Sequence, residues 1–406
     1  MRRLLHRLKP AALPVAIGAS VLLICWFYLM WNTTIGEAIP ALRFRTKNTI
    51  AGIVEQSAPM MSFDAVLTGK YQQWVSRSVG ELSPVFRQAI GWKNQIYYSL
   101  LGMSGTDIVE VGAHDQLLQI GYVSEYCSRD LGSLRTKAEP WAARIRAMQD
   151  FFEARGQVFL YVITPSKVAV NPDVLPSAYR CTAPESDRER KLPVYDQILA
   201  RHGVNLVDTA SPMRDAQKRY GIRVFPRGGI HWNALGATLA AQQVIAAVDA
   251  RHSGAALGEL AFTWKVSDSP KGEDRDLLDM LNLPYPDASY PVPALTYRRT
   301  PPPSGCVPLQ VTEVGGSFLM GLNAALEQSD CAPKITFWFY WDEMRLDRPG
   351  EHTQRPPLDA AARRQSLLTA DVVIFEENEF AVAQSFHGES FMREVAALAQ
   401  GAENTR

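Results

Sequence analysis

The segment Val311-Thr-Glu-Val-Gly-Gly-Ser-Phe318 decides the fold of this chain, because it has the order strand, tight turn and helix. Apolar residues lead into Gly315 and Gly316, and they recur at helical spacing from Phe318 onward. The two glycines let the backbone bend sharply, so Ser317 is expected at the N-terminus of a helix. Backbone N–H groups at such a position can stabilise an oxyanion, so the pattern predicts a nucleophilic serine in an α/β fold.

Parallel strands are predicted on both sides of this segment. Val158-Phe-Leu-Tyr-Val-Ile163 is an unbroken apolar run, which is typical of a parallel strand that is covered on both faces. Further strands are predicted at 204–207, 335–340 and 371–375, with helical patterns between them. This alternation indicates βαβ units, and therefore a mostly parallel sheet flanked by helices.

The base that a nucleophilic serine needs is predicted in Pro226-Arg-Gly-Gly-Ile-His-Trp-Asn-Ala-Leu-Gly-Ala237. Asn233 can cap a helix whose apolar positions follow at three- and four-residue spacing, which places His231 in the loop just before that helix. A serine nucleophile requires a base within hydrogen-bond reach and a third group that fixes the tautomer of the base. Ser317 and His231 are therefore predicted as the nucleophile and the base.

Four short motifs occur in order along the chain: Thr164-Pro-Ser-Lys167, Ile230-His-Trp-Asn-Ala-Leu-Gly-Ala237, Val314-Gly-Gly-Ser-Phe318 and Asp371-Val-Val-Ile-Phe-Glu-Glu-Asn-Glu379. Together they resemble the periplasmic alginate O-acetyltransferase family. The resemblance implies an SGNH-hydrolase-like α/β domain and O-acetylation of an exopolysaccharide such as alginate or cellulose. It also implies a membrane-bound partner protein that donates the acetyl group.

One position departs from the family pattern. The family has an acidic residue two positions before the histidine, and this chain has Gly229 there. Removing the acid of a triad costs a factor on the order of 10⁴ in turnover, so another group is expected to orient His231. The candidates are a backbone carbonyl at Gly228 or Gly229 and the side chains of Asp342 and Glu343. We also expect a Gly229→Asp substitution to restore the acid and raise turnover.

Polar residues follow the predicted strands, where ligands bind in open α/β sheets. Gly316, Trp232 and Trp341 are candidates for oxyanion or substrate contacts. The aromatic run 337–341 is interpreted as core, although alternation along the strand would expose Trp341 for stacking on a sugar. The polar set at the strand ends is Ser166, Lys167, Ser317, Trp341, Asp342, Glu343, Glu376, Glu377 and Asn378.

The N-terminal region predicts a membrane anchor. Arg2, Arg3, Arg7 and Lys9 precede a segment without charged residues that extends to Glu37 and is long enough to span a bilayer. The positive-inside rule then keeps the N-terminus in the cytoplasm and places the rest in the periplasm, on the inner membrane. A cleaved signal peptide is the alternative interpretation.

Three regions follow from these patterns. Residues 1–35 are predicted as the anchor, 36–105 as linker and accessory helices, and 106–406 as the SGNH-like α/β domain. Residues 252–305 contain many prolines and are interpreted as an insertion in that domain, in which Asp276-Leu-Leu-Asp-Met280 has the pattern of a short helix.

The composition excludes some function classes. Of 406 residues, 47% are hydrophobic and 21% are charged, with a formal net charge of zero, so nucleic-acid binding has no electrostatic support. No cluster of cysteine and histidine has metal-ligand spacing, and no cofactor is predicted.

Four cysteines lie outside the predicted span, and export to an oxidising compartment favours disulfides. Cys306 precedes the strand of Ser317 and Cys331 precedes the next strand. A right-handed βαβ unit brings both to the same edge of the sheet, so we predict a Cys306–Cys331 disulfide and pair Cys127 with Cys181.

Three functions are compatible with these residues. The first is a membrane-anchored O-acetyltransferase that acts on a polysaccharide. The second is a carbohydrate esterase, because water can replace the sugar hydroxyl. The third is a non-catalytic polysaccharide-binding or scaffold subunit, which the glycine at position 229 and the aromatic run would suit.

Overall fold

The computed structural model of the protein describes residues 84–176, 179–252, 257–298, 306–341, 343–345 and 360–403, together with scattered positions before residue 75. The chain divides into two compact units. One consists of residues 1–107 and 278–287; the other, which we call the α/β unit, consists of residues 108–277 and 288–406. The finer division at residues 35 and 105 stays a prediction.

Ten strands are present among the described residues. They are β1 (Val109–Val111), β2 (Leu117–Gln119), β3 (Val158–Thr164), β4 (Leu206–Asp208), β5 (Ala261–Ser267), β6 (Val292–Arg298), β7 (Gln310–Gly315), β8 (Lys334–Phe339), β9 (Glu343–Arg345) and β10 (Val372–Asn378).

The α-helices surround these strands, and short 3₁₀ turns lie at Ala113–Asp115, Pro172–Val174 and Gly272–Arg275. The helices are α1 (Pro84–Leu101), α2 (Ile120–Cys127), α3 (Leu131–Glu153), α4 (Lys167–Val170), α5 (Glu185–Glu189), α6 (Lys191–Arg201), α7 (Ala210–Tyr220), α8 (Ala234–Asp249), α9 (Asp276–Met280), α10 (Phe318–Leu326), α11 (Ala360–Thr369) and α12 (Phe386–Glu403).

Six strands form the central sheet in the order β4-β3-β10-β7-β8-β9. Each neighbouring pair is parallel except β8 and β9, which are antiparallel. The predicted parallel sheet is confirmed, and β3, β4, β8 and β10 correspond to the four strands expected around the Ser317 segment. The antiparallel edge strand β9 was not predicted. The 252–305 insertion contains its own antiparallel pair, β5 with β6.

The core has one apolar layer on each face of the sheet, because side chains alternate along buried strands. Leu160 and Val162 of β3 pack in the layer that contains α8 and α10. Phe159 and Tyr161 pack in the opposite layer, with residues of α3, α6 and α12. The continuous apolar run of β3 therefore reflects burial on both faces.

The strand register gathers several C-terminal strand ends at one edge. Thr164 of β3 pairs with Asn378 of β10, and Gly315 of β7 pairs with Phe339 of β8. Val314 of β7 pairs with Phe375 of β10. The residues that follow these strands consequently lie near one another, as the sequence patterns predicted.

Both predicted disulfides are confirmed. The Cα atoms of Cys127 and Cys181 lie 4.4 Å apart, and those of Cys306 and Cys331 lie 5.8 Å apart. Since β7 and β8 are adjacent and parallel, Cys306 and Cys331 approach the starts of both strands at the same edge of the sheet.

The membrane span predicted within residues 1–35 lies mostly outside the described residues, and so does the 299–305 segment of the insertion. No described helix combines the length and the apolar character that crossing a membrane requires.

Candidate active site

Ser317 lies at the turn between β7 and α10, as predicted. Gly315 is required there, because a Cβ atom would lie 2.6 Å from Glu376 Oε2 and 2.7 Å from Leu319 Cδ1. The N–H of Gly316 donates to the same Glu376 oxygen at 2.7 Å. The buried Glu376 carboxylate therefore fixes the turn before Ser317, and the Gly316 N–H already donates to this carboxylate. This corrects the expectation that Gly316 is free for an oxyanion.

His231 contacts Ser317 directly: its Nε2 lies 2.7 Å from Ser317 Oγ. Asn233 caps α8 by accepting hydrogen bonds from the N–H groups of Leu235 and Gly236, both at 3.1 Å, as the sequence predicted. The Phe318 ring lies edge-on to the imidazole at 4.9 Å between ring centres. The cap and the aromatic contact fix the loop and the ring that bring the base to the serine.

The carboxylate beside His231 belongs to Asp276, which the sequence analysis did not consider. Asp276 Oδ2 lies 2.6 Å from His231 Nδ1. Its Oδ1 accepts the N–H groups of Ile230 at 2.8 Å and Leu277 at 2.7 Å. Ser317, His231 and Asp276 thus form one continuous hydrogen-bonded chain. Asp276 begins α9, the short helix predicted within the insertion.

The sequence candidates for the acid occupy other positions or lack a description. Asp342 lies outside the described residues, and Glu343 begins the edge strand β9. The Gly229 carbonyl accepts a hydrogen bond from Lys167 Nζ at 3.1 Å. The group at His231 Nδ1 is therefore a carboxylate from a segment 45 residues further along the chain.

Gly229 is a packing requirement. A Cβ atom there would lie 2.3 Å from the carbonyl oxygen of Glu273 and 2.8 Å from Pro226 Cγ. The segment that carries Asp276 thus occupies the space that a side chain at position 229 would need. The premise of the Gly229→Asp substitution, an empty place beside His231, is wrong.

Burial and nearby carboxylates set the protonation of this site. Burial disfavours the charged form of His231, but the hydrogen bond and charge of Asp276, with the charges of Glu273 and Glu376, raise its pKa above the ordinary value. Burial raises the pKa of Glu273 to about 7. The surroundings therefore stabilise the imidazolium that forms when His231 accepts a proton.

Residues 126–305 match a family model described as the SGNH hydrolase-like domain of acetyltransferase AlgX. This part of the chain is therefore similar to the SGNH hydrolase-like domain of acetyltransferase AlgX. The resemblance to alginate O-acetyltransferases is confirmed, and the match supports an SGNH-type O-acetyltransferase. The match contains His231 and Asp276 and ends before Ser317.

Several solved structures are similar to this chain at low sequence identity. The O-acetyltransferase domain of Pseudomonas putida AlgJ is 18% identical, with 73% of this chain and 99% of that chain covered and a TM-score of 0.44. Pseudomonas aeruginosa AlgX is 15% identical, with 71% of this chain and 67% of that chain covered and a TM-score of 0.46. Bacillus cereus PatB1 with a sulfonyl adduct is 13% identical, with 71% of this chain and 98% of that chain covered and a TM-score of 0.44. No curated protein sequence matches the chain.

Tyr340 is a further residue of the candidate site that sequence reasoning missed. Its side chain lies against the turn before Ser317, since a Cβ atom on Gly316 would lie 3.2 Å from Tyr340 Cε1 and 3.4 Å from the Tyr340 hydroxyl oxygen. Tyr340 and Trp341 both have left-handed backbone conformations, with φ of 46° and 65°. Such conformations cost about 1–3 kcal/mol for non-glycine residues, and they concentrate at functional sites. Burial raises the pKa of Tyr340, so its hydroxyl keeps its proton at neutral pH.

Two of the predicted substrate contacts are core residues. Trp341 is only 3% exposed, and its ring lies 4.9 Å from that of Phe391. Trp232 is 1% exposed and lies 5.2 Å from Phe318. The left-handed turn breaks the alternation along β8, so Tyr340, at 43% exposure, is the aromatic residue that faces outward.

The remaining polar residues at the strand ends form hydrogen bonds with neighbouring side chains. Glu376 Oε1 accepts the Thr164 hydroxyl at 2.5 Å, and the Ser166 hydroxyl donates to Glu379 at 2.6 Å. Glu377 accepts the Tyr161 hydroxyl at 2.5 Å. Asn378 Nδ2 donates to Thr164 Oγ1 at 3.2 Å. These side chains support the candidate site from within the sheet. The described residues contain no group of three or more side chains arranged to hold a metal ion.

Proposed function

We propose that the protein O-acetylates a polysaccharide in the periplasm, with Ser317 as nucleophile, His231 as base and Asp276 as orienting acid. One observation carries the proposal: Ser317 Oγ lies 2.7 Å from His231 Nε2, while His231 Nδ1 lies 2.6 Å from Asp276 Oδ2. This is the relation between nucleophile, base and orienting group that acyl transfer through a serine requires.

In the first half-reaction, His231 Nε2 takes the proton of the Ser317 hydroxyl while Ser317 Oγ attacks the carbonyl carbon of the donor. Asp276 accepts the Nδ1–H, which fixes the tautomer in which Nε2 is free to act as base. The N–H groups of Ile230 and Leu277 hold the carboxylate in place. The tetrahedral intermediate then collapses, His231 returns the proton to the leaving group, and Ser317 carries the acetyl group.

In the second half-reaction, a sugar hydroxyl gives its proton to His231 and attacks the acetyl carbon. The new ester leaves, and Ser317 regains its proton. The Ser317 N–H at the start of α10 and the partly exposed Tyr340 hydroxyl beside the Ser317 turn are the proposed donors to the oxyanion that forms in both steps.

The periplasmic location rests on two observations. Two disulfides are typical of oxidising compartments. The apolar N-terminal segment follows basic residues, as in an exported protein. A membrane-bound partner that supplies the acetyl group on this side of the membrane completes the proposal.

The scaffold hypothesis was motivated by the glycine at position 229 and by the aromatic run 337–341. Since Asp276 lies beside His231, we favour catalysis over a purely structural role. The esterase differs from the transferase only in the acceptor, and the test below separates them.

The test combines an activated acetyl ester as donor with neutral and uronic-acid oligosaccharides as acceptors. Mass spectrometry measures acetylated sugar and free acetate. We expect Ser317→Ala and Asp276→Asn to lower acetylation by a factor on the order of 10⁴. Ser128→Ala and Asp130→Asn are matched controls, because both side chains are exposed and lie at helix ends, outside the chain of Ser317, His231 and Asp276.

Each outcome has one meaning. Acetylated sugar that disappears in both active-site variants supports the transferase. Free acetate with no acetylated sugar for any acceptor replaces it with the esterase. Ser317→Ala with wild-type acetylation refutes acyl chemistry at this site.

A further inference from the structure

Lys167 is buried beside the active-site loop in an unusual environment. It begins α4 at the end of β3 and is 3% exposed. Its Nζ atom lies within hydrogen-bond distance of the carbonyl oxygens of Leu117 at 2.9 Å and Pro226 at 2.6 Å. The carbonyl oxygens of Arg227 at 3.0 Å and Gly229 at 3.1 Å are also within hydrogen-bond distance of Nζ. All four partners are therefore backbone carbonyls.

A carbonyl cage of this kind suits an ammonium ion. A charged amine has three N–H donors that four oxygens can share, whereas a neutral amine has only two. Burial lowers the pKa of Lys167 well below its usual range; the charge of Asp276 opposes this only in part, and the charges of Arg223 and Arg227 add to the lowering. Against this, four carbonyl oxygens at 2.6–3.1 Å from Nζ favour the form of the amine that has three N–H donors. The carbonyl dipoles stabilise the positive charge in place of water, as they do around monovalent cations in selectivity filters.

Three of the four carbonyls belong to the loop that leads to His231. Pro226, Arg227 and Gly229 precede the histidine by two to five positions. The Arg227 carbonyl also accepts the N–H of Leu117 at 2.9 Å, and the Gly229 N–H donates to the Pro226 carbonyl at 3.3 Å. These interactions use the backbone, and the Lys167 side chain adds hydrogen bonds to three carbonyls of this part of the loop.

The other side of the loop is fixed independently. The Asn233 N–H donates to the Val224 carbonyl, and Asn233 Nδ2 donates to the Arg223 carbonyl, both at 2.8 Å. His231 therefore lies between two anchors, the Asn233 cap on one side and the Lys167 cage on the other. Loss of either anchor would free the histidine to move relative to Ser317 and Asp276.

We propose that Lys167 is a positioning residue whose ammonium group acts as a built-in monovalent cation. It gathers the carbonyls of Pro226, Arg227 and Gly229 and thereby holds His231 within hydrogen-bond distance of both Ser317 and Asp276. The inference rests on the proposed function, because it assigns Lys167 to the geometry of that catalytic base.

The first experiment compares Lys167 with a second buried lysine. Lys191 is 1% exposed, and its Nζ bonds to the Glu125 carboxylate at 2.7 Å instead of to a carbonyl cage. The variants are Lys167→Met, Lys167→Gln and Lys191→Met, in the full chain. The assay measures kcat and KM for an activated acetyl ester, at a temperature well below the melting temperature of each variant.

We expect both methionine variants to melt at lower temperature, but only Lys167→Met to lose catalysis. A displacement of the base by about 1 Å costs a factor on the order of 10² in kcat, with KM nearly unchanged. Lys167→Gln, which keeps two N–H donors, is expected to retain more kcat than Lys167→Met. Equal kcat values for Lys167→Met and Lys191→Met, or a wild-type kcat for Lys167→Met, would overturn the proposal.

The second experiment replaces the missing cation. Lys167→Ala is titrated with propylammonium or butylammonium, and tetramethylammonium at equal ionic strength serves as the control because it has no N–H donor. We expect kcat to recover at least tenfold, with saturation, for the primary ammonium ions only. Recovery with tetramethylammonium, or with none of the ions, contradicts the cage.

A spectroscopic readout separates this inference from the proposed function. The Nδ1–H resonance of His231 reports the hydrogen bond to Asp276 whether or not the protein turns over an ester. Its loss in Lys167→Met but not in Lys191→Met supports positioning even if the wild type is inactive, in which case the proposed function alone fails. An unchanged resonance in Lys167→Met refutes positioning even if the wild type is active.

Discussion

Gly229→Ala is the smallest change that tests the packing around the relocated acid. The added Cβ atom would lie 2.3 Å from the Glu273 carbonyl oxygen, and an ordinary contact begins at 3.4 Å. Either the loop or the Glu273 backbone must therefore move by about 1 Å. His231 is two residues from the substitution and Asp276 is three residues from Glu273, so the displacement falls on the hydrogen bond between them.

A shift of about 1 Å at a catalytic group costs a factor on the order of 10² in turnover. We expect Gly229→Ala to lower kcat for an activated acetyl ester by about this factor, and Gly229→Asp to lower it at least as much, because an extra carboxylate is larger and lies near Asp276. Neither variant should raise turnover.

The matched control is Gly132→Ala in α3, where the nearest atom to the new Cβ, Asp130 Oδ2, would lie at an ordinary 3.4 Å. It should keep wild-type kcat and gain a little helix stability, up to about 1 kcal/mol. Steady-state kinetics and thermal melts of the variants make the comparison. A wild-type or higher kcat for Gly229→Asp would refute the reasoning, since it would show that position 229 has room for a side chain.

Three further predictions concern the same site and its support. The rate at limiting substrate should rise with pH as His231 loses its proton. The midpoint should lie above the ordinary value of 6.5, because Asp276 raises the pKa of His231 despite burial. Asp276→Asn should lower that midpoint, and an unchanged midpoint would exclude His231 as the titrating base. Tyr340→Phe should lower kcat by a factor on the order of 10², because the proposed oxyanion donor is lost, whereas an unchanged or higher kcat would show that the phenol does not stabilise the oxyanion. Replacing Cys306 and Cys331 together by alanine should lower the free energy of unfolding by about 3 kcal/mol in denaturant titrations, since the bond closes a loop across 25 positions, and an unchanged stability would contradict a formed disulfide.

The parallel sheet and the pair of Ser317 and His231 could be predicted because their signals are local. β3 is an apolar run covered on both faces, and the turn before Ser317 needs glycine for a reason that the structure makes explicit: the Gly315 position is filled by Glu376 and Leu319. The disulfide of Cys306 and Cys331 also followed from the order of the two strands. Each inference used only neighbouring residues or the handedness of a βαβ unit.

The orienting acid could not be predicted in the same way. Asp276 lies 45 positions after His231, in a proline-rich segment that was interpreted as an insertion, and an aspartate at the start of a short helix is ordinarily interpreted as a cap. The outward turn of Tyr340 was equally hidden, because strand alternation assigned that role to Trp341. Two successive left-handed residues reverse the assignment, and no aromatic pair predicts such a turn.

Gly229 and Asp276 are best understood as one structural solution. A residue without a side chain at position 229 lets the backbone of Glu273 approach to a distance that any Cβ atom would forbid. That approach brings Asp276 to both the imidazole of His231 and the N–H of Ile230, so the carboxylate binds the loop as well as the base. Lys167 gathers the carbonyls of the same loop from within the fold, and Asp276 accepts its N–H and imidazole donors. His231 is thus held between the Lys167 side chain, which binds carbonyl oxygens of the loop, and the Asp276 carboxylate, which accepts a loop N–H and the imidazole. This explains how a loop with two consecutive glycines can present a histidine in one orientation.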